Sequence, residues 1–150
     1  MAKDLDLSFV IPAKNESGSV HILYEEIKSV VDPITKEFEI IFIDDGSTDH
    51  TFEQLKRIHE SDKRVKVIEL RGNFGKSVAL QAGFDSSTGK IIFTLDADLQ
   101  DDPKEVPQFL EKINEGYDLV SGWKKVRHDP SVGKVLPSRI VNYLTRRLTG

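Results

Sequence analysis

Residues 93–102 read FTLDADLQDD, an apolar strand-like run that passes directly into Asp96, Asp98, Asp101 and Asp102. Two ionised carboxylates about 5 Å apart repel by roughly 3 kcal/mol even at an effective dielectric near 20, so this crowding is costly unless something cancels it. A cation is the obvious candidate. In D-x-D, strand alternation sends Asp96 and Asp98 to the same side, and their carboxylates are expected to converge where the chain leaves its sheet. Magnesium and manganese prefer oxygen ligands, and magnesium is usually held by one or two carboxylates together with substrate phosphates. A sparse acidic pair of this kind is completed only when a diphosphate arrives. From these residues alone, a surface cap without an ion is the competing explanation.

Two more clusters carry unusual chemistry, PAKNE at 12–16 and DDGSTD at 44–49. Taken singly, DDGSTD can equally be the end of a strand and the cap of the next helix. GNFGKS at 72–77 ends like a phosphate-binding loop, but the spacing G-x-x-x-x-G-K-S requires glycine where Leu70 stands. It reads as a strand-to-helix turn, either close to the site or there for packing. His21, His50, His59 and His128 lack the H-E-x-x-H spacing of a zinc protease, and no G-x-S-x-G elbow supports a serine hydrolase. The chain has no cysteine, which excludes disulfides and thiolate metal sites and leaves oxygen or imidazole ligands.

The elements that must position these clusters follow from periodicity. LSFVIPA is followed by a helical face of Val20, Leu23, Ile27, Val30 and Val31, then by the strand FEIIFIDDG. A helix carrying Phe52, Leu55 and Ile58 leads to the strand VKVIEL, and a small-residue helix around Val78, Ala79 and Ala82 leads to KIIFTLDAD. Near-continuous apolar strands separated by helices call for a parallel sheet covered on both faces, with right-handed crossovers. In such sheets ligands bind outside the carboxyl ends of the strands, where strand order reverses, and all three clusters fall at such ends. Next come Pro103 at a helix first position, a face of Val106, Phe109, Leu110 and Ile113, Gly116 as a stop, and an expected strand YDLVSGW at 117–123. Pro107 breaks the helix rule, because inside a helix it removes a hydrogen bond.

With 150 residues, 38% hydrophobic and 31% charged, the chain can bury one core, and a single domain is expected. Its apolar runs fall far short of the ~18 residues needed to cross a bilayer, and no leader pattern opens it, so a soluble chain of cytosolic type is expected. The net charge is −4, yet residues 121–150 carry +6 through Lys124, Lys125, Arg127, Lys134, Arg139, Arg146 and Arg147 against Asp129, leaving −10 for the rest. This tail is expected to face something anionic, a phosphate or a lipid headgroup, with a solvated basic helix as the alternative. Leu136, Ile140, Val141, Leu144 and Leu148 recur in it at helical spacing, suiting a helix on an anionic bilayer surface or, equally, completion of the core.

With VIPAKNE, FIDDGSTD, RGNFGKSVALQAG and TLDADLQDDP in this order and on these elements, the chain resembles family-2 glycosyltransferases of the α/β, Rossmann-like GT-A fold. Within that family it is most similar to polyprenyl-phosphate hexosyltransferases of the dolichyl-phosphate mannose synthase type. The resemblance implies inverting, metal-dependent transfer of a hexose from a nucleotide diphosphate sugar, GDP- or UDP-hexose, to a dolichyl or undecaprenyl phosphate at the cytosolic face of a membrane. It implies that Pro12, Lys14, Glu16, Asp45, Asp96, Ala97 and Asp98 line the nucleotide-sugar site, with Asp45 near the base. It further implies that Asp96, Asp98 and Gln100 hold Mg2+ or Mn2+, that Lys124 stands near the phosphates, and that Lys134 and Ser138 hold the acceptor phosphate. Lys14 replaces a commoner tyrosine, and Lys124 replaces an arginine, offering a point charge in place of a bidentate fork. Relatives continue with a further catalytic segment, so residues 1–150 are expected to be a nucleotide-sugar-binding catalytic domain truncated at its C-terminus. No nucleic-acid partner is expected. A family-2 transferase with a glycan or protein acceptor, or a donor-binding module without turnover, are the alternatives. A phospho-receiver domain also uses an acidic pair, but there the pair follows the first strand, whereas Asp44 and Asp45 follow the second.

Overall fold

A computed structural model describes residues 7–122. Four strands, β1 (Leu7–Ala13), β2 (Phe38–Asp44), β3 (Val65–Glu69) and β4 (Ile91–Thr94), form one sheet in the order β3-β2-β1-β4, and every pairing is parallel. They alternate with α1 (Val20–Val31), α2 (Thr51–Ser61) and α3 (Lys76–Ser86), so the expected βαβαβαβ order and the two-sided burial both hold. Alternation within each strand sorts its residues between two apolar layers. Phe9, Ile11, Ile40 and Phe42 join Leu23, Ile27, Leu55 and Ile58 on one face, while Val10, Ile41 and Ile43 meet Ala79 on the other. Because both faces are covered, β1 and β2 read as nearly continuous apolar runs, interrupted by Ser8 and Glu39.

The helix over the second face lies close to the sheet because of Gly83. A Cβ there would stand 2.3 Å from Val10 Cγ1 and 2.8 Å from Ile43 Cδ1. This corrects the face assigned to that helix from its sequence: Ala79 and Gly83 are buried, whereas Val78 is 47% exposed. The signal was hidden because a buried glycine adds nothing to apolar periodicity.

After β4, a 3-10 turn (Pro103–Glu105) leads into α4 (Val106–Asn114). Asp102 caps that turn by accepting from the Lys104 N–H at 3.0 Å. Pro107 is harmless because it occupies the first turn of α4, where backbone N–H groups lack intrahelical partners. Phe93 stacks on Phe9 at 5.1 Å between ring centroids and meets Phe109 edge-on at 6.3 Å. These ring contacts tie α4 to β4 and β1. The compact unit that carries the sheet ends at Gly116. The expected strand at 117–123 does not form over its described residues, 117–122. Alternating residues supply strand propensity, but a strand exists only when a neighbour pairs with its N–H and C=O groups.

The amino edge of the sheet is fastened by Glu39, which is 8% exposed. Its carboxylate accepts from Ser8 Oγ at 2.7 Å, from Thr88 N at 2.6 Å and Thr88 Oγ1 at 2.8 Å, and pairs with Lys66 Nζ. Burial opposes ionisation, yet the Lys66 ammonium and the Ser8 and Thr88 donors outweigh it and hold the carboxyl at about 2, below its ordinary 4.5. A carboxyl depressed on folding contributes stability that is fully present above the unfolded value and is lost as pH falls toward the folded one. Between pH 5 and 2 this group is therefore expected to withdraw about 3 kcal/mol. Glu39→Gln should flatten the stability profile in that window, measured by urea unfolding at successive pH values. Asp49 and Asp62, also held at about 2, keep a residual slope in the variant.

Candidate functional site

A parallel sheet sends every strand-to-helix loop to its carboxyl edge. PAKNE leaves β1 there, DDGSTD leaves β2, the 70–75 loop leaves β3 and DADLQ leaves β4. The order β3-β2-β1-β4 reverses between β1 and β4, so PAKNE and DADLQ flank the crevice at the switch point.

The first two loops are fastened to each other. Asn15 Oδ1 accepts from Thr48 N at 2.8 Å, Ser47 Oγ accepts from Asn15 N at 2.9 Å, and Thr51 Oγ1 accepts from Glu16 N at 2.8 Å. Asp49 accepts from Thr51 Oγ1 and N and from Ser17 N, and these bonds, the Thr51 hydroxyl foremost, hold its carboxyl at about 2. Asp44 is buried and accepts from the Ser47 hydroxyl. Much of DDGSTD thus builds the loop, as its capping reading allowed.

Asp45 is the exception. It is 5% exposed, and its carboxylate takes hydrogen bonds from Phe74 N at 2.8 Å and Gly75 N at 2.9 Å. In the amide orientation that satisfies both neighbours, Asn73 donates to Asp45 Oδ2 at 3.0 Å and accepts from Lys14 Nζ at 2.6 Å. Lys14, Asn73 and Asp45 form one chain of contacts across three loops. The approach is allowed by Gly46, whose φ is +67°, since a Cβ there would lie 2.5 Å from the carbonyl carbon of Gly72 and 2.7 Å from Asn73 N. Asn73 and Gly46 were not assigned roles from the sequence. The available signal was topological: the loop between VKVIEL and the following helix had to reach the same edge as the other three.

DADLQ differs from its sequence reading in how it is held. β4 ends at Thr94, so Asp96 and Asp98 sit on a turn, and strand alternation does not orient them. Ala97 is buried between them, while Asp98 and Gln100 are exposed. The turn is closed by Leu99 at φ +62°, a costly conformation for a branched side chain. Among the described residues, the non-glycine positions with positive φ are Leu99 and Asn15, one in each loop flanking the crevice. Asp101 Oδ2 accepts from Asp96 N at 2.8 Å and Asp98 Oδ1 from Gln100 N at 3.0 Å, while the Asp96 carboxylate pairs with the Lys76 ammonium. The crowding of acids is therefore partly structural: Asp101 and Asp102 bind backbone N–H groups, and Asp96 already faces a cation.

Pro12 is half-buried at the end of β1, Lys14 is exposed, and Glu16 accepts from Ser19 Oγ at 2.8 Å. Lys124, Lys134 and Ser138, with the rest of residues 123–150, lie outside the described residues. Among the described residues no three acidic or histidine side chains gather into a cage for a metal ion. The donors on the turn, two carboxylates and the Gln100 amide, are hard oxygens. They fit Mg2+ or Mn2+ held by a sparse protein set and completed by phosphate oxygens.

The family model for glycosyl transferase family 2 matches residues 8–149. The chain is 37% identical over 150 residues to the dodecaprenyl-phosphate galacturonate synthase of Rhizobium johnstonii, covering 99% of this chain and 44% of that protein. It is 38% identical over 146 residues to the undecaprenyl-phosphate 4-deoxy-4-formamido-L-arabinose transferase of Pectobacterium atrosepticum, covering 97% of this chain and 44% of that one. The chain thus spans less than half the length of these relatives. Among solved structures, the glucosyl-3-phosphoglycerate synthase of Mycobacterium tuberculosis, in complex with Mn2+, UDP and glucosyl-3-phosphoglycerate, superposes with a TM-score of 0.58 at 25% identity, over 75% of this chain and 40% of that one. Sheet order, loop placement and family match agree, and the chain belongs to glycosyl transferase family 2, with a GT-A fold.

Proposed function

We propose that this chain forms the donor-binding part of an inverting, metal-dependent transferase that moves a hexose from a nucleotide diphosphate sugar to a polyprenyl phosphate. The observation that carries this reading is the meeting of PAKNE, DDGSTD, the 70–75 loop and DADLQ on one edge of the sheet, with Lys14, Asn73 and Asp45 linked across it. Relatives named for dodecaprenyl-phosphate and undecaprenyl-phosphate substrates support the acceptor class, and the Mn2+ and UDP of the mycobacterial synthase support the donor and ion.

In this reading Pro12, Lys14, Glu16, Asp45 and Ala97 border the nucleotide, and Asp96, Asp98 and Gln100 hold the divalent ion. The ion supplies Lewis-acid stabilisation of the negative charge that grows on the departing diphosphate. Lys124 adds a fixed cation to the same end, while Lys134 and Ser138 take the acceptor phosphate. That phosphate is already ionised at neutral pH, so it attacks the anomeric carbon without a strong general base, from the face opposite the leaving group. Inversion follows. Among the described residues no helix is long and apolar enough to cross a membrane, and attachment to the cytosolic face is assigned to the basic segment at 121–150.

A ligand that binds only the native state raises its stability, by about 2.7 kcal/mol at a hundredfold excess over Kd. UDP or GDP together with Mn2+ is therefore expected to raise the melting temperature, and neither nucleotide alone should match that shift. If no nucleoside diphosphate stabilises the chain at any Mn2+ concentration, the donor-site reading is wrong.

A further inference from the structure

We propose that Lys76 is an internal counter-cation of the donor site: its ammonium holds Asp96 until a divalent ion takes that carboxylate, and then turns to the donor's diphosphate. This rests on the donor-site reading above and goes beyond it, because the residues tied to the ion and the nucleotide do not include Lys76.

Three observations carry the inference. Lys76 Nζ contacts Asp96 Oδ1, on the carboxylate that the donor-site reading assigns to the divalent ion. A cation is thus already seated where the acid cluster requires one. The base of the lysine is also fixed: it opens α3, and the two preceding N–H groups, of Phe74 and Gly75, are bound by the Asp45 carboxylate. Lys76 is therefore anchored to the nucleotide side of the site while its charge reaches the ion side. Finally, the pair is accessible, with side-chain exposures of 59% for Lys76 and 38% for Asp96. An ion pair so exposed contributes little to stability and exchanges readily.

Two cations held by one carboxylate lie close enough to repel, and each draws on the same single negative charge, so Lys76 weakens the hold of Asp96 on a divalent ion. Displaced from the carboxylate, an ammonium on a flexible four-carbon stem is free to reach newly arrived phosphate oxygens beside it. The site then gains an order of assembly. The ion alone binds weakly because it must evict Lys76, and ion and diphosphate bind well together because the evicted charge finds a partner. Lys14, held by the Asn73 amide and, among the described residues, by no carboxylate, does not oppose the ion in this way.

The test is manganese binding by the 150-residue chain, read from the electron paramagnetic resonance signal of free Mn2+, in the wild type, Lys76→Met and Lys76→Arg. Without nucleotide, Lys76→Met is expected to bind Mn2+ about 3- to 10-fold more tightly than wild type, and Lys76→Arg no more tightly. At saturating Mn2+, calorimetry with UDP or GDP should show the opposite order, with Lys76→Met weakened about 5- to 10-fold. Circular dichroism of the variants checks that the fold is kept, as expected for an exposed side chain. A purely structural ion pair would leave Mn2+ affinity unmoved. Unchanged or weaker Mn2+ binding by Lys76→Met, with nucleotide binding retained in wild type, overturns the proposal alone. Failure of the wild type to bind either nucleotide with Mn2+ overturns the donor-site reading and the proposal with it.

Discussion

Gly46→Ala is expected to cost about 2–4 kcal/mol of stability and to open the nucleotide side of the site. Two penalties act together. The backbone at this position is left-handed, with φ at +67°. A non-glycine residue there pays on the order of 1–2 kcal/mol for that conformation. The new methyl group would also stand 2.5–2.8 Å from Gly72 and Asn73, and those neighbours are backbone atoms that no rotamer change can move aside. Relief requires the 70–75 loop to withdraw, which strips Phe74 N and Gly75 N from Asp45 and leaves a carboxylate that is 5% exposed without its donors. Urea unfolding measures the first effect, and nucleotide affinity in the presence of Mn2+ the second. Gly72→Ala is the control. It lies in the same contact, yet its Cβ would meet nothing within 4 Å. A change within roughly 0.5 kcal/mol is therefore expected. Equal losses in the two variants would show that the close approach at Gly46 does not hold the loop.

Asp98→Ala is expected to leave stability almost untouched while lowering sugar transfer by the intact protein about 100-fold or more. Asp98 is exposed, and its described bond is a local one to Gln100 N, which solvent can replace. As a proposed ligand of the ion it carries more weight than outer-shell groups, whose loss alone typically costs roughly 10–100-fold. Transfer is followed by partition of radiolabelled sugar into butanol, which also reports whether the acceptor is a lipid. Asp101→Ala should behave differently. Asp101 accepts the backbone N–H of Asp96 at 2.8 Å, so its loss loosens the turn and appears in the melting temperature. Wild-type transfer rates in Asp98→Ala would remove Asp98 from the ion site.

Neighbouring acids in one short stretch thus do different work, and their spacing alone did not divide that work among them. Asp102 could be recognised as a cap, because it precedes a proline at a helix start and its partner, Lys104 N, is two residues away. Asp96 could not be assigned its contact with Lys76, twenty residues distant, without the loop-to-loop geometry. The strand pattern was legible for the opposite reason. Sheets buried on both faces demand nearly continuous apolar runs, and LSFVIPA supplies one with matching bounds, while FEIIFIDDG supplies another whose strand stops two residues sooner, at Asp44. Where the pattern outran the structure, at 95–98 and at 117–122, no strand forms over the described residues: the ladder to β1 ends with the Leu95 N–H on the Val10 carbonyl at 3.3 Å, and alternating residues beyond it are not enough to extend a strand.

By itself, then, the order of residues determined the alternation of strands and helices, the parallel sheet with two covered faces, and the delivery of PAKNE, DDGSTD and DADLQ to one edge. These follow from local periodicity and from the handed geometry of crossovers, which a linear pattern encodes. Only the tertiary structure decided that Gly46 lets the 70–75 loop reach Asp45, that Asn73 joins Lys14 to it, that Gly83 brings α3 onto Val10, and that Lys76 faces Asp96. Each of these joins residues that stand far apart along the chain. Their distances are set by the packed sheet and helices between them, and no local preference of the chain specifies them.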